Sequence, residues 1–348
     1  MEKIFYKITI LFIVIILLII ASINYIIDPF FNYHKNDNLK PVIYGEMYQN
    51  SGMAKYFEYD TLITGTSMTE GFAQSWFSKK YKCNAIKLPY AGGNMKDFEM
   101  LFDNAYSSNN QIKNIFFGLD IYTMLSKYGI TRFEYEKYQI SSNPFFDVEY
   151  LLNNNILLNY SLQSYIRGKS DNYNYNPDNN YVWEEYSNFG KEIVLESYSR
   201  PETSEKKDSS YEMFEDENFE LNLKSLCYFI ENHPETKYYI FFPPYSILYW
   251  DSSVRTACVG THLGALYKAT QQLLKYDNVK LYGFIMNEDI ITNLDNYKDY
   301  THYKQDINRY MLESFDTSND EINLENYRQK FETFEELIYN YDYNSIFE

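Results

Sequence analysis

A serine, a histidine and an aspartate are the residue types from which a proton-relayed nucleophile is built, and this chain holds all three in suggestive settings. Ser67 follows directly on a short strand-like run, Asp60-Thr61-Leu62-Ile63-Thr64, within Gly65-Thr66-Ser67-Met68. His302 is the only one of 4 histidines with an aspartate three residues before it, in Asp299-Tyr300-Thr301-His302. A serine hydroxyl is a weak nucleophile until a base takes its proton. An imidazole can do so when a carboxylate holds its other ring nitrogen and fixes the tautomer. In that arrangement Ser67 attacks an acyl carbon, His302 carries the proton and Asp299 orients His302. The backbone N–H of Ser67, at a strand-to-helix turn, then faces the developing oxyanion. Each motif also has a plainer reading. Ser67 fits a helix N-cap, with Glu70 completing a capping box. An Asp-x-x-His pair arises often by composition in a chain this rich in aspartate. Their combination is what points to an enzyme of ester chemistry.

For Ser67 and His302 to meet, the fold must gather the ends of its strands. Short apolar runs without strict alternation at 61–64, 84–88, 112–118, 238–242 and 279–282 read as buried parallel strands. Helical patterns lie between and after them at 69–81, 95–106, 211–232, 263–275 and 304–315. Alternation of this kind predicts an α/β domain, a parallel sheet of five strands with helices on both faces. Active sites of such sheets sit at the carboxyl ends of the strands. Ser67, the pair Gly92-Gly93 and Asp120 each directly follow a predicted strand. Pro243-Pro244 ends the fourth strand and sets an extended exit that can shape a pocket rim.

Residues 127–210 break the alternation and read as an insertion. It holds helix-like pieces at 149–159 and 161–168 and an Asn/Tyr/Asp-rich segment at 171–186. The aromatic residues there, Tyr173, Tyr175, Tyr181, Trp183 and Tyr186, could stack on sugars. With 39 tyrosines in the chain, ordinary packing is the commoner use of such residues. Residues 321–339 read as a charged helix.

Residues 8–27 are twenty in a row without charge, enough to cross a hydrocarbon core of about 30 Å. Lys3 and Lys7 precede the run and Asp28 ends it. The positive-inside rule puts the N-terminus in the cytoplasm and the rest of the chain outside the plasma membrane. The run exceeds the apolar region of a cleaved signal peptide, so a single-pass anchor is expected. The organisation read from the sequence is a cytoplasmic tip and anchor at 1–29, a linking segment at 30–57, an α/β domain at 58–315 and an acidic helical extension at 316–348.

The net charge of −17 argues against a nucleic-acid partner, which demands a basic face. Acidic residues concentrate at 201–220 and 316–348, read as solvated surface. Cys83, Cys227 and Cys258 form no Cys-x-x-Cys pair, and their odd number argues against a disulfide framework. His34, His233, His262 and His302 lack zinc spacing, so no metal and no cofactor is expected.

Taken together, these residues resemble the SGNH (GDSL-like) hydrolase superfamily over roughly 58–315. Gly65-Thr66-Ser67 matches its first block, the serine turn after the first strand. Ala91-Gly92-Gly93-Asn94 fits the second, whose glycine N–H joins the oxyanion hole, with Gly92 or Gly93 in that place. Asp299 and His302 match the fifth block. The third block, usually Gly-x-Asn-Asp, stands here as Gly118-Leu119-Asp120, so an aspartate replaces the expected asparagine. An ionised carboxylate would repel an oxyanion. Either Asp120 points elsewhere, or it is protonated, or Asn94 supplies the donor. Asp28-Pro29-Phe30-Phe31, Phe241-Phe242-Pro243-Pro244-Tyr245-Ser246 and Asp299–Tyr303 with Asn308 resemble a membrane-anchored branch that modifies cell-surface polymers, which includes teichoic-acid D-alanylation accessory proteins.

The resemblance implies a three-layer α/β/α sandwich of flavodoxin-like type. It implies catalysis by Ser67, His302 and Asp299, with Ser67, Gly92, Gly93, Asn94 and Asp120 as the oxyanion-hole set. It further implies an acyl group moved onto or off a surface glycan or teichoic-type polymer, beside a membrane-bound O-acyltransferase and without a metal. A non-catalytic assembly protein for such an acyltransferase and a glycan-binding module are the competing expectations.

Overall fold

A computed structural model of the chain describes residues 2–140, 145–317 and 319–348. Contacts among these residues group them into two units. One comprises 1–58, 107–109 and 133–176, and the other comprises 59–106, 110–132 and 177–348. The interrupted stretch 127–210 is thus divided between them.

The larger unit is an α/β fold around a single sheet. Its strands are β1 (Thr61–Gly65), β2 (Ala85–Lys87), β3 (Asn114–Gly118), β4 (Lys237–Phe241), β5 (Val279–Tyr282) and β6 (Glu321–Ile322). Their order across the sheet is β2-β1-β3-β4-β5-β6. The first five run parallel and β6 pairs antiparallel with β5. Leu62 and Ile63 of β1, Ile115 to Phe117 of β3 and Tyr238 to Phe241 of β4 are all buried, whichever face they point to. Burial on both faces is why these runs are continuously apolar rather than alternating. Phe116 of β3 stacks on Tyr239 of β4 and meets Phe77 and Phe315, so one face of the sheet is an aromatic core.

The sheet has six strands, where five were expected. The sixth is only two residues long and lies in an acidic stretch whose composition reads as helix. The helix expected over 321–339 is accordingly shorter, Tyr327–Asn340, with β6 and a turn before it. The helix expected from 69 starts at Gln74, because a single 3-10 turn, Ser67–Thr69, and a loop come first. The helix expected from 211 is Glu217–Asn232. Its start is fixed by Asp216, whose carboxylate accepts the Phe219 N–H at 2.8 Å.

The smaller unit is built on the helix Glu2–Ile27, the one helix among the described residues long and apolar enough to cross a bilayer. Its apolar side chains are exposed along its length, but Asn24 in the last turn is buried. Asp28 ends the helix with φ of 44°. Its buried carboxylate accepts the N–H groups of Asn32, Tyr33 and His34 and the Tyr150 hydroxyl, at 2.7–3.0 Å. That ring of donors makes a compact exit turn and directs Phe30 into a cluster with Tyr44, Tyr48, Tyr150 and Tyr160.

Candidate active site

Gly65 closes β1 directly opposite Gly118 at the end of β3. A Cβ on Gly65, whose φ is +145°, would stand 2.6 Å from Thr69 Cγ2 and 2.8 Å from the Gly118 carbonyl. A Cβ on Gly118 would meet the same methyl at 2.7 Å. The two glycines leave room for the Thr69 side chain over the strand ends, so the chain can turn at once into Ser67–Thr69. Thr66, not Ser67, caps this turn, through its hydroxyl oxygen facing the Met68 N–H. The Ser67 hydroxyl is therefore not spent on capping. From the other side, the Met68 carbonyl accepts the Tyr303 hydroxyl at 2.7 Å and Asn308 Nδ2 at 3.1 Å. Those contacts tie the serine turn to the segment that carries His302.

The Asp299–His302 loop is pinched at its base by a bridge between Tyr297 and Tyr303 and by the Lys298 N–H donating to the His302 carbonyl at 3.0 Å. The segment leaving β4 holds its flank. The Ser246 hydroxyl donates to the Tyr300 carbonyl at 2.7 Å, and the Tyr297 hydroxyl donates to the Pro244 carbonyl at 2.9 Å. The extended exit set by Pro243-Pro244 thus positions the loop as well as ending a strand.

Within this frame Ser67 Oγ lies 2.8 Å from His302 Nε2. His302 Nδ1 lies 2.8 Å from Asp299 Oδ2 and 3.0 Å from Oδ1. Asp299 also accepts the backbone N–H groups of Thr301 and His302, at 2.9 and 2.8 Å, and the Thr301 hydroxyl at 3.0 Å. Burial opposes ionisation of Asp299. The hydrogen bond and charge of His302 and these two N–H groups outweigh it, and hold the carboxyl well below the usual carboxylate range. An ionised Asp299 keeps the proton on Nδ1, which leaves Nε2 to accept the serine proton. The Trp183 ring meets His302 edge-on, with centroids 5.8 Å apart, and Lys298 Nζ sits 4.0 Å over the same indole.

Of the residues expected to hold an oxyanion, the structure brings Ser67, Gly92, Gly93 and Asp120 to one pocket and leaves Asn94 out of its lining. Asn94 Nδ2 donates to the Ile130 carbonyl at 3.0 Å, and its N–H to Asp97 at 2.8 Å. The Gly93 N–H closes a turn onto the Tyr90 carbonyl at 2.8 Å. Among the described residues the N–H groups of Ser67 and Gly92 have no protein acceptor. Of the two glycines, then, Gly93 has its N–H engaged and Gly92, at a φ of +62°, does not.

Asp120, fully buried after β3, accepts the Thr66 hydroxyl on one oxygen and the Tyr245 hydroxyl on the other. Burial pushes its carboxyl up to about 6, against the lowering effect of those two hydrogen bonds and of His302. The pocket has a volume of about 220 Å³, and Tyr122, Tyr245 and Tyr300 line it beside the Ser67–His302 pair. Tyr245 and Tyr300 stood in motifs that carry the family resemblance, but their place in the pocket lining and that of Trp183 against His302 were not foreseen. A residue just past the end of β4 was a fair site candidate by position, but 39 tyrosines hide any single one.

The remaining candidates, apart from Trp183 against His302, lie outside the lining of that pocket. Tyr173 and Tyr175 fall in the smaller unit, and Tyr181, Trp183 and Tyr186 in the larger. His262 is bonded to Ser253 and Tyr249, and burial lowers it to about 4. Among the described residues no group of three or more His, Cys, Asp or Glu side chains could hold a metal ion. Compared with known proteins, the chain matches no family model, no curated protein and no solved structure.

Proposed function

We propose that the chain is a membrane-anchored serine esterase or O-acyltransferase of SGNH (GDSL-like) type, acting on acyl esters of a cell-surface glycan or teichoic-type polymer. The observation that carries this reading is the 2.8 Å approach of Ser67 Oγ to His302 Nε2, with Asp299 2.8 Å behind the other ring nitrogen. In the first half-reaction Ser67 Oγ bonds to the acyl carbon while its proton passes to Nε2. The N–H groups of Ser67 and Gly92 hold the oxyanion. The tetrahedral species collapses as His302 returns the proton to the departing alcohol oxygen, leaving an ester on Ser67. In the second, a polymer hydroxyl or water gives its proton to His302 and attacks that ester, and Ser67 leaves reprotonated.

The pocket of about 220 Å³ favours a short acyl group, since sites for drug-sized ligands run to about 300–1,000 Å³. The strand order 2-1-3-4-5 supports the flavodoxin-like three-layer sandwich of that superfamily. The site stands outside the carboxyl ends of β1 and β3, where that order reverses. Two features support an uncleaved anchor with its N-terminus in the cytoplasm. Lys3 and Lys7 precede the apolar run, and Asn24 within it is built into the packing of the smaller unit.

One observation favours a second reading, a non-catalytic partner of a membrane-bound O-acyltransferase. Asp120 stands where the superfamily has an oxyanion donor, and both its oxygens accept hydrogen bonds. Reaction of the full chain in detergent with a fluorophosphonate separates the two. The esterase reading expects a covalent adduct on Ser67, found by peptide mass spectrometry and lost in His302→Ala. Absence of any adduct on Ser67 would favour the non-catalytic partner.

A further inference from the structure

Soluble amphipathic helices bury their large apolar side chains and expose polar ones. The helix Leu162–Lys169 departs from that pattern, exposing large apolar side chains beside its polar ones. It buries Ser164 and Gly168, while Leu162, Tyr165 and Ile166 are exposed, Ile166 by 62 %. The inward face is small because it lies tightly on the chain at Lys40. The Lys40 N–H donates to the Gly168 carbonyl at 3.2 Å, and a Cβ on Gly168 would stand 2.8 Å from the Lys40 carbonyl oxygen. The π-helical turn Ile156–Ser161 that feeds the helix exposes Leu158 by 55 %. Positions 158, 162, 165 and 166 share one helical face, so these side chains form a continuous apolar stripe.

What covers the stripe follows from where it is attached. The Ser161 hydroxyl, between Leu158 and Leu162, donates to Asn24 Oδ1 at 2.8 Å. Asn24 Nδ2 in turn donates to the carbonyls of Leu151 and Asn153, at 3.0 and 3.2 Å. Asn24 lies three residues from the end of the apolar helix Glu2–Ile27, about 4.5 Å along its axis. In a spanning helix that depth is the boundary between hydrocarbon and headgroups. The bond to Asn24 holds Ser161 at the same boundary. The stripe extends no more than about 8 Å along the helix from Ser161. Arg167 and Lys169 are exposed at its end, and Tyr25 is exposed on the anchor. Tyrosines and basic residues are the side chains that favour this interface.

We propose that Leu158, Leu162, Tyr165 and Ile166 form a second membrane contact, seated in the headgroup–acyl boundary of the bilayer that the anchor crosses, with lipid as the occupant. This rests on the anchor reading. The contact braces the smaller unit against the bilayer at two places, instead of leaving it on a single tether.

The test uses the full chain in phospholipid nanodiscs, with Cys83, Cys227 and Cys258 replaced by alanine. An environment-sensitive fluorophore is carried on a single new cysteine, Leu17→Cys, Leu158→Cys or Ile166→Cys in separate samples. Circular dichroism first checks that each variant keeps the parent's helix content. Because positions 158 and 166 are both exposed, either can report if the other label disturbs the fold. The account expects loss of emission from all three positions when doxyl-labelled lipid is present, and protection of positions 158 and 166 from aqueous iodide. Quenching at 17 with none at 158 or 166, and free access of iodide there, would overturn the second contact while keeping the anchor. Protection from iodide without quenching by lipid would mean that another copy of the chain covers the stripe, and would also overturn the proposal. No quenching at 17 would remove the anchor reading and the proposal with it.

Discussion

Ser67 Oγ and His302 Nε2 lie 2.8 Å apart although 235 residues separate them in the chain. Four hydrogen bonds to two carbonyls make that distance. Tyr303 and Asn308 hold the Met68 carbonyl next to the serine, and the backbone and hydroxyl of Ser246 hold the Tyr300 carbonyl next to the histidine. The pair is over-determined by the packing around it.

Asp299→Asn tests the orienter. An amide in place of the carboxylate can donate to Nδ1, so the imidazole is held in the tautomer that cannot accept the serine proton. Turnover of an activated ester should fall by about 10⁴-fold with little change in KM. The same change bears on stability. The folded carboxyl of Asp299 ionises well below its unfolded value, so its contribution is present above the unfolded carboxylate range and is lost as pH falls through and below it. Urea midpoints should show Asp299→Asn less stable than the parent at pH 7, with the gap closing towards pH 3.

Asp120→Asn should act in the opposite direction. With the folded carboxyl at about 6 and the unfolded one near 3.9, the native state keeps its proton through that window. The stability this contributes is complete below about 4 and is lost as pH rises through about 6. The parent should therefore lose stability between pH 4 and 8 relative to Asp120→Asn, by up to about 3 kcal/mol. Urea denaturation of both proteins at the two pH values measures it. In an esterase the variant should also turn over faster at pH 8, since a negative charge beside the oxyanion is removed.

Gly65→Ala places a methyl group 2.6 Å from Thr69 Cγ2 and 2.8 Å from the Gly118 carbonyl, at a φ of +145°. The strand end cannot open without breaking its pairing with β3. Thermal unfolding should show a loss of about 1–3 kcal/mol or more, and Ser67 should lose reactivity. Gly129→Ala is the control, since φ there is also positive but nothing lies within 4 Å.

Trp183→Ala removes the ring that meets His302 edge-on and carries Lys298 over its face. Loosening His302 should lower kcat by about 10–100-fold while KM for a small ester changes little. Trp183→Phe, which keeps an edge for the imidazole, should restore most of the rate.

Much of the larger unit was legible in the sequence because buried parallel strands are apolar throughout. The span 279–282 coincides with β5, and the other four predicted strands overlap β1 to β4 with shifted ends. What failed was local. β6 is two residues of an acidic stretch, and only its pairing with β5 makes it a strand. The helix after Ser67 starts five residues late, because Thr66 takes the cap and the chain turns tightly over two glycines. That Ser67, Asp299 and His302 meet could be read from type and context. The company of Tyr245 could not, since its role comes from reaching Asp120 across the strand ends. Asn94 was a reasonable substitute donor by type, but Ile130 takes its amide.

Whether Ser67 is an acyl-accepting nucleophile is decided by pre-steady-state hydrolysis of p-nitrophenyl acetate by the full chain, with the parent compared with Ser67→Ala and His302→Ala. The parent should release a burst of p-nitrophenol equal to one acyl group per Ser67, absent from both variants. A parent without burst or turnover, or variants that hydrolyse the ester as fast as the parent, would contradict that role.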